Sequence, residues 1–203
     1  MEVKWELPHL GSYKLNTVSV KQSTGPGGIG GLIRIHLGHR IIGFSEHTPH
    51  TNPVRAKLLA IRRGLQIAVN HSLIPIEINF DSIETIHMLT NRNINMLYDN
   101  IVVECRCLML KLKITKVTQV FREQNRAVDK LAKEGTKVAV FDEPNILLVP
   151  PMYARRKVET DILGTMYTRL TNNIPSIFQG RDVTQLNRNG HHAAVDAPIH
   201  YPS

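Results

Sequence analysis

Residues 13–45 read YKLNTVSVKQSTGPGGIGGLIRIHLGHRIIGFS, and this stretch decides the fold class of the chain. From Tyr13 to Val20 successive residues alternate in character, which is typical of a strand with two different faces. A glycine-rich turn at 24–28 precedes a second strand, Ile29–Leu37, and a short turn then leads to a third, Ile41–Ser45. Three consecutive strands joined by short turns predict an antiparallel meander.

Two glycines, Gly30 and Gly31, interrupt the second strand of this meander. Glycine weakens a strand unless another backbone passes close to it, so we interpret both as packing or bulge positions. A phosphate-binding loop is the alternative, but the Gly-Lys-Ser/Thr sequence that such a loop requires does not follow.

Helices and strands alternate after the meander. Asn52 and Pro53 suit the start of a helix, and apolar residues then recur every three or four positions from Ala56 to Ala68. The order β-β-β-α-β-α-α-β-α predicts an α/β domain with a mixed five-stranded sheet and helices on both faces. The remaining predicted elements are a strand at Ile76–Phe80, a helix capped by Ser82 that runs through Leu89, a helix at Leu97–Leu112, a strand at Ile114–Phe121 and a helix at Asn125–Thr136.

The regular pattern ends near Lys137, and we divide the chain into four parts. Residues 1–10 form a lead-in, 11–137 the domain, and 138–179 a C-terminal extension. The polar, aperiodic residues 180–203 are predicted to be a disordered tail.

The extension is predicted to contain a proline-rich arm that packs back on the domain and a short helix near Val158–Leu170. Three histidines of the tail, His191, His192 and His200, could ligate a metal ion. Because no rigid frame would fix their geometry, we expect solvated side chains there instead.

The chain is basic: 25 Lys and Arg oppose 17 Asp and Glu, which gives a formal charge of +8. Such a charge suits a polyanionic partner, because contacts with phosphates release counterions. Only 5% of the residues are aromatic, so binding would depend on phosphate contacts rather than on base stacking. We therefore expect a nucleic-acid partner, and a merely solvated basic surface is the alternative.

The sequence contains no run of 18 apolar residues, and Met1–Trp5 lacks the apolar segment of a signal peptide. We expect an intracellular protein of the nucleus or cytoplasm, monomeric, without membrane contact and without a small-molecule cofactor. Cys105 and Cys107 stand two residues apart in a predicted helix, where a mutual disulfide has poor geometry, and we predict buried or half-buried thiols.

Five blocks of the sequence resemble the plant ribonuclease H-like domain of retroelement-derived, reverse-transcriptase-associated proteins. The resemblance spans residues 8–137, and the family's order of elements agrees with the order derived above. Each block is short, but five blocks in the same order and at matching intervals make a specific signal. The blocks are Tyr13–Thr17, Gly27–Arg34, Arg55–Ala60, Ile78–Ser82 and Val120–Lys133.

The resemblance implies metal-dependent hydrolysis of the RNA strand in an RNA–DNA hybrid. In this chemistry two Mg²⁺ ions activate the attacking water and stabilise the leaving oxygen. Mg²⁺ prefers oxygen ligands, and the family supplies four carboxylates from the first strand, the first helix, the end of the fourth strand and the start of the last helix. The implied cofactor is therefore Mg²⁺, and the implied partner is an RNA–DNA hybrid or another duplex.

The chain keeps two of these four carboxylates. Asp81 and Asp129 stand at the third and fourth positions and are the predicted catalytic and metal-binding residues. The first position carries Val18, the second carries Lys57, and Gln119 replaces a histidine that the family places before the last helix. Because two ligands are missing, we expect weak or lost Mg²⁺ binding and an impaired enzyme, a pseudoenzyme.

Lys57 also changes the charge of the site. At about 4 Å and an effective dielectric constant near 20, two unit charges interact by roughly 4 kcal/mol, and a divalent ion would be repelled about twice as strongly. We predict that the Lys57 ammonium pairs with Asp81 or Asp129 and takes the place of a metal ion.

Three functions remain open. An active Mg²⁺-dependent endoribonuclease would need a further acid, such as Glu46 or Glu84, and neither stands at a matching position. A non-catalytic domain would still bind the hybrid, whereas a retroelement remnant, with no polymerase or zinc knuckle ahead of the domain, would have no selected function. The residues predicted to contact nucleic acid are Arg55, Arg62, Arg63 and Asn125.

Overall fold

The computed structural model describes residues 1–21, 26–49, 51–91, 97–138, 144–149 and 151–169. The predicted tail with its three histidines and part of the glycine-rich turn lie outside these residues. The strands are β1 Glu2–Val3, β2 Tyr13–Val20, β3 Gly27–Arg34, β4 Arg40–Thr48, β5 Ile76–Phe80, β6 Ile114–Gln119, β7 Asn145–Leu147 and β8 Tyr167–Thr168. The helices are α1 Pro53–Asn70, α2 Ile83–Thr90, α3 Asp99–Lys111, a 3₁₀ helix Arg122–Asn125, α4 Arg126–Gly135 and α5 Met152–Ile162.

Six of these strands form one mixed sheet in the order β6-β5-β2-β3-β4-β7. β2, β3 and β4 are antiparallel neighbours, which confirms the predicted meander, although the second strand ends at Arg34 rather than at Leu37. β5 runs parallel to β2, and β6 runs parallel to β5. The predicted number of five strands is one short, because β7 from the extension adds to the outer edge of β4.

Helices cover both faces of the sheet, as predicted. On one face Leu15 and Ile78 belong to a hydrophobic cluster that includes residues of α1, α2 and α3. On the other face Val18 and Leu32 share a cluster with buried residues of α4 and α5. Side chains alternate between the two faces of a strand, so a single strand serves both clusters. No helix among the described residues has both the length and the apolar character needed to cross a membrane.

Gly30 and Gly31 are packing positions, as the sequence predicts. A Cβ added to Gly30 would lie 2.5 Å from the backbone nitrogen of Ala132 in α4, and one on Gly31 would lie 2.1 Å from the ring of Phe44 in β4. Both distances are far below van der Waals contact, so a larger residue would displace its neighbour. The absence of a side chain at Gly30 allows α4 to lie directly on β3, and its absence at Gly31 leaves room for the ring of Phe44.

The two cysteines are free thiols. Cys105 is fully buried in α3, as predicted, and this burial raises its pKa to about 12. Cys107 is exposed, which corrects the prediction of a buried or half-buried thiol. Residues two apart on a helix point in nearly opposite directions, and only Cys105 faces α1, where its Sγ lies 4.0 Å from the backbone oxygen of Leu58.

The helix of the extension lies earlier than predicted. Instead of Val158–Leu170, α5 occupies Met152–Ile162 and begins directly after Pro151. Gly164 follows the helix with a φ of 69°, and the chain then forms β8, which pairs antiparallel with β1. The predicted lead-in thus contains a short strand, whose partner lies more than 160 residues further along the chain.

A buried ion pair joins the extension to the domain. Nη1 of Arg34, at the end of β3, lies 2.9 Å from Oδ2 of Asp161 in α5, and both side chains are almost fully buried. The guanidinium of Arg34 also lies over the ring of Trp5, 4.1 Å from its centre. Burial raises the pKa of Asp161, although the neighbouring Arg34 opposes this shift.

We expect Asp161→Ala to lower the free energy of unfolding by roughly 3–5 kcal/mol, because it leaves the Arg34 guanidinium buried without a counter-charge. Urea unfolding followed by circular dichroism measures this loss. Glu159→Ala is the control on the same helix: its exposed pair with Arg155 should contribute less than about 1 kcal/mol. Equal losses in the two variants would contradict a stabilising role for the buried pair.

Candidate functional site

The parallel pairing of β2 with β5 places the first and third predicted positions side by side. Asn16 pairs with Asn79 in this ladder, so Val18 and Asp81 stand at the same level two residues further along each strand. Both residues line a small cleft at this end of the sheet. Ser82 follows and caps α2 by accepting a hydrogen bond from the backbone N–H of Thr85, which fixes the turn that carries Asp81.

Lys57 reaches this cleft from α1. Asn52 caps that helix by accepting a hydrogen bond of 2.8 Å from the backbone N–H of Arg55, so Lys57 falls in the second helical turn. Its Nζ lies 3.5 Å from Oδ1 of Asp81, with both side chains about one quarter exposed. The predicted pairing of Lys57 with one of the two acids is therefore present, and the partner is Asp81.

Asp129 lies in the first turn of α4, and two cations hold it. Oδ1 accepts hydrogen bonds from Nε and Nη2 of Arg122 at 3.2 and 2.8 Å, and Oδ2 lies 2.7 Å from Nζ of Lys133. Burial alone would raise the pKa of Asp129, but the hydrogen bonds and charges of Lys133 and Arg122 outweigh it and hold the pKa below its usual value. The same contact raises the pKa of Arg122.

The two carboxylates belong to one charged region. A cavity of about 340 Å³ is lined by Val18, Asp81, Arg122 and Lys133 among others, and the last two are the partners of Asp129. With Lys21, which also lines this cavity, and Lys57, four cations therefore accompany two carboxylates here. Sequence reasoning missed Arg122 and Lys133, although Lys133 follows Asp129 at the i+4 spacing that favours an ion pair on a helix.

These residues do not fit a pair of Mg²⁺ ions. The Val18 side chain has no oxygen to offer, and both carboxylates already face an ammonium or a guanidinium. Across the residues that the structure describes, no three His, Cys, Asp or Glu side chains cluster closely enough to hold a metal ion. Mg²⁺ requires several hard oxygen ligands around it, and this arrangement supplies too few.

Gln119 and Asn125 differ in their surroundings. Gln119 is exposed at the end of β6, opposite Phe80, the residue that precedes Asp81. Asn125 is 1% exposed, and its Nδ2 donates a hydrogen bond of 3.1 Å to the backbone oxygen of Thr17. Asn125 therefore has a structural role between β2 and α4. Its burial is inconsistent with the predicted contact with nucleic acid.

The three arginines of α1 are not equivalent. Arg63 binds the buried Glu46 of β4 through two nitrogens, at 2.5 and 3.0 Å, and Nη1 of Arg62 lies 3.5 Å from Glu104 of α3. Arg55 is exposed, and no described carboxylate lies within ion-pair distance of it. Of the three, Arg55 is the one whose charge faces solvent.

The two acids considered as replacements do not complete the site. Glu46 is 3% exposed and is neutralised by Arg63, and Glu84 is exposed in the first turn of α2. Neither lines the cleft that contains Asp81.

The fold and the site together define a ribonuclease H-like α/β domain. The sequence matches the family described as reverse transcriptase-like over residues 16–135, which is more than half of the chain. The chain therefore belongs to the reverse transcriptase-like family. A comparison with curated proteins finds no matching relative.

Solved structures share the fold of this domain at low sequence identity. Ribonuclease H1 of Halobacterium salinarum is 20% identical with a TM-score of 0.57, and the match covers 63% of this chain and 98% of that one. LC11 ribonuclease H1, isolated from compost and solved with an RNA/DNA hybrid, is 16% identical with a TM-score of 0.55, covering 62% and 97%. The N-terminal ribonuclease H domain of a Mycobacterium tuberculosis protein is 17% identical with a TM-score of 0.55, covering 62% and 94%.

We expect Asp129→Asn to lower the free energy of unfolding by about 1 kcal/mol at neutral pH, because it removes the charge that Arg122 and Lys133 bind while both partners remain largely exposed. Since folding lowers the pKa of Asp129, its stabilising contribution is complete above about pH 4, the unfolded value, and disappears as the pH falls through the folded value. Urea unfolding across the acid range should show wild type and variant converging.

Glu134→Gln is the control for this titration, since it removes a carboxylate from the same helix whose partner is the exposed Lys137. Its effect at neutral pH should be smaller. A difference between wild type and Asp129→Asn that persists unchanged to the acid end would exclude the proposed ionic role.

Proposed function

We propose that this chain is a ribonuclease H-like domain that binds nucleic acid and does not hydrolyse it. The observation that carries the proposal is the Lys57 ammonium, 3.5 Å from the Asp81 carboxylate at the position where the family places an acid. In this proposal Lys57 takes the place of a metal ion, and Asp81 and Asp129 are remnants of the catalytic set.

Charge and ligand number both support the loss of hydrolysis. A site that holds Mg²⁺ through few carboxylates is weakened by the loss of one, and here Val18 and Lys57 replace two. Arg122 and Lys133 also neutralise Asp129, so a divalent ion would have to displace existing ion pairs. The two-metal reaction has no support from such a site.

An RNA–DNA hybrid is the proposed partner. LC11 ribonuclease H1, which shares the fold, was solved with an RNA/DNA hybrid, and the present chain carries a formal charge of +8. Arg55 is exposed near the start of α1, the helix that also carries Lys57, and can contact a phosphate of the hybrid. We further propose an origin in a plant retroelement, an intracellular monomer, and the division of the chain at residues 10, 137 and 179.

We expect the protein to bind a labelled RNA–DNA hybrid and to leave it uncut in the presence of Mg²⁺ or Mn²⁺. Fluorescence anisotropy at several salt concentrations should show an affinity that falls linearly on a log–log scale, because phosphate contacts release counterions. Gel electrophoresis of the same samples detects cleavage. Metal-dependent cleavage would overturn the proposed loss of hydrolysis, and a lack of binding would overturn the proposed partner.

The double variant Val18→Asp, Lys57→Glu tests why the site does not bind metal. It supplies two carboxylates beside Asp81 and removes the competing ammonium, so Mn²⁺ should raise the melting temperature of the variant but not of the wild type. Differential scanning fluorimetry measures the shift, and circular dichroism verifies that the variant is folded.

Val18→Asn, Lys57→Gln is the matched control, because it has the same side-chain sizes without the two negative charges. It should show no metal-dependent shift. If Mn²⁺ stabilised the wild type as strongly as the double variant, the ion pair of Lys57 and Asp81 would not be the feature that prevents metal binding.

A further inference from the structure

A basic cleft lies next to the candidate site, between α4 and α5. Its volume is about 420 Å³, and it is open to solvent. Four of its six lining residues are cationic and two are acidic. They are Arg122, Arg126, Lys130 and Lys157, with Glu123 and Asp129.

Both acidic residues of this cleft are already paired with cations, whereas its two lysines have no carboxylate partner among the described residues. Asp129 is bound by Arg122 and Lys133, and Oε2 of Glu123 lies 3.5 Å from Nη1 of Arg169. Among the described residues, no carboxylate lies within 4.0 Å of the ammonium of Lys130 or Lys157. The cleft therefore presents a net positive charge to solvent.

The spacing of the cations suits an extended anion rather than a single small ion. Arg126 and Lys130 are four residues apart on α4, about 6 Å along the helix axis, and Arg122 precedes them in the 3₁₀ helix. Lys157 faces this row from α5. Arg126 lies 4.0 Å over the centre of the Tyr167 ring, so this aromatic face is occupied by a guanidinium rather than free to stack on a base.

The cleft depends on the C-terminal extension. α5 lies beyond residues 16–135, the part that matches the family, and it packs on α4 through Ala154 and Val158. The buried pair of Arg34 and Asp161 fastens the same helix to the sheet. This chain thus adds a second basic wall beside the degenerate site.

We propose that this cleft binds the sugar-phosphate backbone of a nucleic acid, with Lys130 and Lys157 contacting phosphates. The inference rests on the proposed function in that the partner is a nucleic acid. The cleft shares Asp129 with the family's carboxylate positions, but the two lysines assigned here lie outside them. Since phosphates carry no base identity, the cleft supplies affinity and orientation rather than sequence preference.

The test compares two double variants that each remove two positive charges, Lys130→Gln with Lys157→Gln in the cleft and Lys111→Gln with Arg156→Gln outside it. Lys111 and Arg156 are exposed and do not line the cleft. Anisotropy is measured across a salt series with a short RNA–DNA hybrid, duplex DNA, single-stranded RNA and polyglutamate. Thermal unfolding verifies that both variants are folded.

For nucleic acids, we expect the cleft variant to make the negative slope of log affinity against log salt shallower by about 2. The control variant should leave this slope unchanged. Equal slopes for the two variants would overturn the cleft while leaving hybrid binding intact. A cleft-dependent slope with duplex DNA and RNA but no hybrid binding would support the cleft and overturn the proposed partner. An effect confined to polyglutamate would assign the cleft to an acidic protein segment, and a wild type that binds no nucleic acid would overturn both proposals.

Discussion

Helix α4 lies directly on the backbone of β3, and this contact positions Asp129 of the candidate site together with Arg126 and Lys130 of the basic cleft. A Cβ on Gly28 would come within 2.2 Å of the carbonyl oxygen of Ala132, and one on Gly30 within 2.5 Å of the nitrogen of the same residue. These close approaches fix both the distance of α4 from the sheet and its position along β3. That position brings Asp129 to the end of β2, and it leaves the outer surface of α4 available for α5. The candidate site and the basic cleft are consequently two sides of one helix.

Under the proposed function, the charges of the site explain how the fold persists with two acids of the family pattern replaced. In a site built for divalent cations, half-buried carboxylates left without a cation would repel each other and pay for their desolvation. Here Lys57 lies beside Asp81, and Arg122 and Lys133 hold Asp129. Side-chain cations thus compensate both carboxylates. Under the proposed function, the replacement of an acid by Lys57 changes the chemistry of the site and gives Asp81 a cationic partner.

Local patterns in the sequence predict the meander, the helices on both faces and the glycine packing, because each depends on residue periodicity or on the missing side chain of glycine. The pairing of Lys57 with an acid is also predictable, since its position in the family pattern coincides with a ligand. The roles of Arg122 and Arg34 cannot be predicted from the sequence. A surface arginine and a strand-end arginine look alike in sequence, and only tertiary packing brings one to Asp129 and buries the other against Asp161. The same limitation applies to β7, whose few residues show no alternation long enough to indicate a strand.

The buried side chain of Arg34 links the core of the domain to the C-terminal extension. Arg34 belongs to the part of the chain that matches the family, yet its counter-charge comes from Asp161, beyond that part. A fully buried guanidinium is stable only with such a partner, so the matching region relies on α5 for the charge balance of its own core. β1 and β8 add a second connection, because they pair the first residues of the chain with residues after α5. The division of the sequence near residue 137 therefore separates two sequence patterns that the packed structure joins, and the basic wall carried by α5 is held in place by the core itself.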